Sequence, residues 1–290
     1  MVEPHEWMTT FTPQSEWIEN KGIFMPLAFY SGAIGSGLYL VSSYFHSLLG
    51  MFIGWLIVII LKGGFHFLDL SHPFRAFRIF ARPQSSWISR GLIFVISFVV
   101  LVPLQLYVSR FFPDTTLEVI LKVLAGASAF AICIYPGFTM NCINAIPMWN
   151  SAILPVLFLS SGLLGGAALA LAIGMLGGDT NMPEALVGNK IFLITTIFFT
   201  VIYFWSGFYA GPVGKKSVEN MTKGSLRLVF WVGMVLLGTM VPFLCLFFGH
   251  PGMSISEIIM LLGIAGEIIL GLSLVYILLR IGTYSPIIDL

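Results

Sequence analysis

The chain has 290 residues, of which 58% are hydrophobic and only 9% charged, with a formal net charge of +1. A soluble globular domain carries roughly 25% charged residues, so this composition excludes one and points to a chain that lives in lipid. The nearly balanced charge gives no footing for a nucleic-acid partner.

The first twenty residues are polar and mildly acidic and lack the basic segment, apolar core and small-residue cleavage site of a signal peptide, so the first crossing is expected to direct insertion. Eight apolar runs follow, near 22–43, 48–70, 91–112, 117–140, 150–176, 190–210, 226–248 and 255–280. Each is long enough for the roughly 20 residues that a helix needs to cross a bilayer, and continuous runs select helices over a barrel. The expected fold is an all-α integral membrane protein with eight transmembrane helices in one membrane domain, 1–290. An even number of crossings puts both termini on one side, together with the loops at 71–90, 141–149 and 211–225. Ser31-Gly32-Ala33-Ile34-Gly35 in the first run is echoed by Ser161-Gly162-Leu163-Leu164-Gly165 in the fifth. Small residues at this spacing let helices approach closely, and the echo suggests two four-helix bundles, 22–140 and 150–280. Of the 14 basic residues, ten fall on the side of the termini, which the positive-inside rule places in the cytoplasm. The location expected is therefore the cytoplasmic (inner) membrane.

An ionisable side chain within a crossing costs roughly 2.5 kcal/mol or more on insertion scales, so each one calls for a reason. In the second run Lys62, His66 and Asp69 stand at i, i+4 and i+7, on one helical face, and His72 continues the series into the loop. The bland reading is a self-neutralising Lys–Asp pair with a histidine between. The functional reading is a polar ladder that holds a redox headgroup and moves its protons, with Tyr135 of the fourth run at a similar depth. Glu267 sits near the middle of the eighth run, as a proton-transfer group or as a neutral acid bonded to a neighbouring helix. Gln105 and Glu118 are weaker candidates, the latter an ordinary first-turn acid. Cys133, Cys142 and Cys245 stand singly, without the spacing of a zinc or iron–sulfur site. His66 alone among the five histidines lies clearly inside a crossing, so neither a haem nor a cluster is expected in this chain.

Two connecting segments carry most of the remaining signal. One contains Tyr135-Pro136-Gly137, Ile146-Pro147-Met148-Trp149-Asn150, Pro155 and Ser161-Gly162; the other contains Asp69-Leu70-Ser71-His72-Pro73-Phe74-Arg75, Pro83, Ser85, Ser86, Trp87 and Gly91. With these residues and its glycine-rich first helix, the whole sequence resembles the NrfD-like membrane subunits exemplified by polysulfide reductase. The resemblance implies two four-helix bundles and a site for a menaquinone- or ubiquinone-type molecule near the face that docks a ferredoxin-like iron–sulfur subunit. A catalytic subunit of molybdopterin type would lie beyond that. Tyr135 matches the family tyrosine that contacts the headgroup. Phe24 and Leu27 stand where the family pattern has an asparagine and a histidine, and His66 or Lys62 is expected to supply the missing donor.

The function expected is thus a quinone-reactive anchor of a respiratory oxidoreductase complex, a subunit without a catalytic centre of its own. Tyr135, His66, Lys62 and Asp69 would form the quinone site, Lys62 and Glu267 would transfer protons, and Arg75, Arg78, Trp87 and Trp149 would mark the docking face. Two alternatives stand beside it. A proton- or ion-coupled transporter would use Lys62, Asp69 and Glu267 as coupling groups, and a passive anchor would bind no quinone.

Overall fold

A computed structural model describes residues 10–14, 22–70, 77–80, 82–177, 181–248 and 255–286. The protein is an all-α membrane protein with eight helical spans. Helix α1 (Phe24–Tyr44) is the first span. The second is continuous but changes its winding, from α2 (Leu48–Leu56) through a π-helical segment, π1 (Ile57–Lys62), to α3 (Gly63–Asp69). Helices α4 (Trp87–Phe111), α5 (Thr116–Asn141), α6 (Ile153–Met175) and α7 (Met182–Tyr209) are spans three to six. The short α8 (Gly211–Lys223) follows, then π2 (Val229–Met240) running into α9 (Val241–Phe248), and α10 (Ile255–Arg280).

Three boundaries differ from the sequence expectation. Helix α4 begins at Trp87, where the Ser86 hydroxyl accepts from the Ser89 amide as an N-cap. Helix α7 begins at Met182, eight residues early, because Pro183 at its start costs nothing in a first turn whose amides have no helical acceptors anyway. The expected loop at 211–225 is mostly helix α8, a polar segment that buries Val213, Val218 and Met221 on one side.

Helices α1 and α6 sit at the centre and pack on each other along their small residues. A side-chain carbon added at Gly37 would stand 2.0 Å from the Gly162 carbonyl oxygen, and one at Gly166 would stand 2.3 Å from backbone atoms of Gly37 and Leu38. Within the echoed motifs themselves, a side-chain carbon at Gly162 would stand 2.8 Å from the Ala33 carbonyl oxygen, so the two motifs face each other across this seam. Helix α1 also contacts α2, π1, α3, α5 and α10, while α6 contacts α5, α7 and α10.

On the side of the termini a two-residue antiparallel pairing joins β1 (Thr12–Pro13) to β2 (Thr283–Tyr284), so the described ends of the protein lie together. The Gln14 amide donates to the Gly282 carbonyl at 2.8 Å and the Ser285 amide to the Ala145 carbonyl at 2.9 Å, which draws the 141–152 turn into the same face.

Candidate functional site

Tyr135, six residues before the end of α5, is positioned by its own motif. Pro136 has no amide hydrogen, so the helix loses one backbone bond beside the tyrosine. A side-chain carbon at Gly137 would meet the Pro155 nitrogen at 2.4 Å, so the glycine lets the start of α6 close on α5. Gly91 of α4 lies against the Tyr135 ring itself, 2.4 Å from where its side-chain carbon would be. The phenol is thus wedged among α4, α5 and α1.

Lys62 enters from the other side. It is the last residue of π1 and is only 1% exposed. Its Nζ donates to the Tyr135 hydroxyl oxygen at 2.8 Å and lies 3.4 Å from His66 Nε2. The ammonium also lies 4.9 Å from the Tyr135 ring centre and 5.8 Å from that of Phe29. Gly32 makes room for it: a side-chain carbon there would stand 2.7 Å from Lys62 Cδ and 2.8 Å from Nζ. Lys62 has no carboxylate partner among the described residues, so the Lys–Asp pairing weighed from the sequence does not form. An ammonium only donates, so in that state His66 accepts at Nε2 and holds its proton on Nδ1.

Phe29 closes the group, meeting the rings of His66, Tyr135 and Phe158 edge-on at 5.9, 6.2 and 6.2 Å. His66 is half-buried, and the flank of α3 around it is open, with Phe65 stacked on Phe24 at 6.2 Å. Phe24, where the family pattern carries a polar residue, therefore contributes an aromatic wall. Asp69 ends α3 and is partly exposed, one turn beyond His66 toward the side of the termini.

The four residues expected at a docking face are placed differently. Arg75 lies outside the described residues. Arg78 is exposed in a short turn at 77–80. Trp87 is partly buried, stacked on Phe138 at 4.5 Å with the Arg90 guanidinium 4.6 Å from its ring centre. Trp149 corrects the expectation: it is fully buried, and its indole N–H donates to the Leu278 carbonyl at 2.8 Å. A buried indole needs an acceptor, and the end of α10 supplies one, so Trp149 anchors the 141–152 turn from inside. Beside that turn lies a cleft of about 750 Å³, lined among others by Asn150, Trp205 and Tyr209, all exposed. Sequence reading passed over Trp205 and Tyr209, although aromatic residues at a span end are the mark of the membrane interface.

Glu267 belongs to a separate group. Its Oε2 accepts from Asn189 Nδ2 at 2.9 Å, and both residues are fully buried. Gln105 and Glu118 lie in a third: Tyr39 donates to Gln105, Gln105 to Ser109, and Ser109 to Glu118, at 3.3, 2.8 and 2.7 Å. Glu118 further accepts from the Asp114 amide and pairs with Lys122 at 3.5 Å, as a first-turn acid does. Among the described residues no cluster of three or more histidine, cysteine or acidic side chains gathers to hold a metal ion.

Eight apolar spans around a buried lysine–phenol–imidazole group define a multi-pass membrane protein with a polar site inside its helices. Similarity to known proteins makes the class specific. The family described as Polysulphide reductase, NrfD, matches residues 22–285, and the chain belongs to it. Among curated proteins it is 34% identical over 136 residues to Protein NrfD of Escherichia coli, an alignment covering 44% of this sequence and 40% of that one. It is 32% identical over 131 residues to a Protein NrfD homolog of Haemophilus influenzae, covering 43% and 39%. It is 26% identical over 128 residues to the C subunit of polysulfide reductase from Wolinella succinogenes, covering 42% and 40%. The alignments thus span about 40% of the length of these curated relatives.

Proposed function

We propose that this protein is the membrane subunit of a respiratory oxidoreductase complex and that it binds a quinone or quinol headgroup beside Tyr135, Lys62 and His66. Electrons would then pass between that headgroup and an iron–sulfur cluster in a neighbouring ferredoxin-like subunit, with a molybdopterin-type catalytic subunit beyond. The observation that carries this reading is the buried Lys62 amino group, 2.8 Å from a phenol oxygen, beside an imidazole and with no carboxylate partner among the described residues. Charge on a buried amine is costly without a compensating anion, and an electron-rich quinone oxygen is a further acceptor that would suit it.

The donor set fits such a headgroup. Lys62 donates, Tyr135 accepts from Lys62 while keeping its own hydroxyl proton to donate, and His66 can give or take a proton. Phe24 and Phe65 line the open flank of α3, and Phe29 packs behind His66. A bound quinone supplies two-electron, two-proton chemistry at its oxygens. The residues of this protein orient the headgroup and handle its protons, with Asp69 as the outlet toward the side of the termini. The name of the Wolinella relative, a subunit of polysulfide reductase, supports a place in a multisubunit enzyme.

The test is quinone-linked turnover of the membrane-bound complex. Tyr135→Phe and Lys62→Met each remove a charge-assisted hydrogen bond worth about 1.5–3 kcal/mol. Each is expected to lower turnover roughly tenfold or more while the assembled complex still passes electrons to an artificial acceptor. Unchanged quinone-linked turnover in both variants would move the headgroup elsewhere or reduce the protein to a passive anchor.

A further inference from the structure

Seven buried side-chain polar atoms lack a hydrogen-bond partner among the described residues, and five of them belong to Tyr30, Asn189, Thr196, Thr200 and Glu267. Unpartnered buried polar atoms are rare because each costs about 1–3 kcal/mol, and a polar group of this kind is one that water can complete. Asn189, Thr196 and Thr200 stand at i, i+7 and i+11 and share one face of α7. Glu267 meets Asn189 at the far-side end of that row. The Tyr30 hydroxyl lies where side-chain carbons on Gly165 and Gly271 would be, at 2.9 and 2.7 Å, and Gly271 is one turn from Glu267. By contrast, the Tyr39–Gln105–Ser109–Glu118 chain is fully bonded and leaves nothing for water to fill.

A mostly apolar cleft of about 440 Å³ between α1, α6 and α7, with Leu40, Leu163, Ala167 and Phe192 in its lining, reaches Asn189, the partner of Glu267, and has Tyr44 and Glu184 at one end. Those two are the last residue of α1 and a first-turn residue of α7, both exposed and hydrogen-bonded to each other at 2.6 Å. The polar end of the cleft therefore lies on the side away from the termini. The partners of Glu267 carry no positive charge: Asn189 faces it from α7 and Tyr30 from α1. Of the other elements packed on α10, helix α6 and segment π2 contain no ionisable residue and α9 contains only Cys245; the nearest cation in sequence to Asn189 is Lys190, whose Nζ lies 5.2 Å from the Phe247 ring centre on α9. An amide suits both states of a carboxyl, since its N–H₂ serves the ionised form and its oxygen serves the acid.

We propose that Glu267, paired with Asn189, is a proton-holding site that exchanges with water on the side away from the termini through the Tyr44–Glu184 cleft. The proton comes from cleft water, forms an O–H bond at the Glu267 carboxyl, and returns to water by the reverse step. Tyr30, Thr196 and Thr200 extend the hydrated group inward. This inference stands apart from the headgroup reading, because it concerns a different set of residues on the opposite flank of α1.

Infrared spectroscopy of the purified complex during exchange from H₂O to D₂O tests it. The wild type is expected to show a carboxylic-acid C=O band that shifts in D₂O and is lost in Glu267→Gln. Should that variant not accumulate, Glu267→Asp is expected to move the band to a new frequency. Gly188→Leu fills the cleft without meeting any atom within 4 Å at its first side-chain carbon, and is expected to keep the band and slow its shift. Tyr135→Phe is expected to leave the band and its shift unchanged, which separates this site from the proposed headgroup site. A band that survives in Glu267→Gln, one that does not shift in D₂O, or one that shifts as fast in Gly188→Leu overturns the proposal.

Discussion

At the scale of single residues, the site depends on a glycine as much as on the groups that do chemistry. Gly32 leaves the space that Lys62 occupies, and the atoms that an added side-chain carbon would meet are the far end of the lysine side chain, at 2.7 to 3.1 Å. That end is flexible and can move, whereas the α1 backbone cannot. Gly32→Ala is therefore expected to leave the fold intact and to push the ammonium off the Tyr135 oxygen. Its effect on quinone-linked turnover should match that of Lys62→Met. The measurement is turnover in membranes, with the amount of assembled complex as the control. A Gly32→Ala protein as active as wild type would show that the lysine is not needed where it stands. Lys62 and His66 stood out in the sequence because ionisable groups are costly in a span, and Tyr135 through its depth and the family resemblance. Gly32 and Gly91 stood there only as members of motifs and Phe29 not at all, because nothing in a glycine or phenylalanine says which neighbour it makes room for.

At the scale of elements, two kinds of glycine can be told apart by what surrounds them. Association of helices in lipid rests on close packing rather than on the hydrophobic effect, so the α1–α6 seam depends on backbone touching backbone. At Gly166 an added carbon would stand 2.3 Å from the backbone of Gly37 and Leu38, and the helices would have to part. Gly126 of α5 has no atom within 4 Å of that point. Gly166→Leu is expected to destabilise the protein by about 1–3 kcal/mol or more through overpacking. Gly126→Ala is expected to stabilise it by roughly 0.5–1 kcal/mol, since alanine is the better helix residue. Denaturant titration of the protein in detergent checks both, and equal effects would dissolve the distinction. The spans and the packing role of the small-residue motifs were legible in the sequence because hydropathy and residue size act locally. The π-helical turns at Ile57–Lys62 and Val229–Met240 were not. One extra residue per turn leaves no hydropathy signal, yet π turns gather at functional positions and Lys62 ends one of them. The burial of Trp149 was not legible for a related reason: a tryptophan in a polar turn reads as surface, and its acceptor, the Leu278 carbonyl, is 129 residues away.

At the scale of the molecule, the site and the Glu267 group divide the membrane between them. Lys62 lies seven residues from the terminus-side end of its span, about 10 Å by helical rise. The cleft that reaches Asn189, the partner of Glu267, has its polar end on the other side, at Tyr44 and Glu184. The face nearer Lys62 is built by the Thr12–Pro13 and Thr283–Tyr284 pairing, the 141–152 turn and helix α8. Among the described residues it also carries Arg78, Arg82, Arg90, Lys215, Lys216, Lys223, Arg227 and Arg280, against four basic residues elsewhere. That charge bias is expected to hold this face in the cytoplasm, so a partner bringing electrons to the Lys62 site would dock from the cytoplasm, and Glu267 would exchange protons with the opposite compartment. A reporter fused after Leu290 decides the matter. A fluorescent protein that folds in the cytoplasm is expected to light up there, and a phosphatase that needs the outside is expected to stay inactive. The reverse pair of results would turn the molecule over, placing the docking face outside and the Glu267 cleft on the cytoplasmic side. The pairing of β1 with β2 makes the same fusion report on both described ends, because a protein whose ends meet across two residues cannot have them on different sides of a membrane.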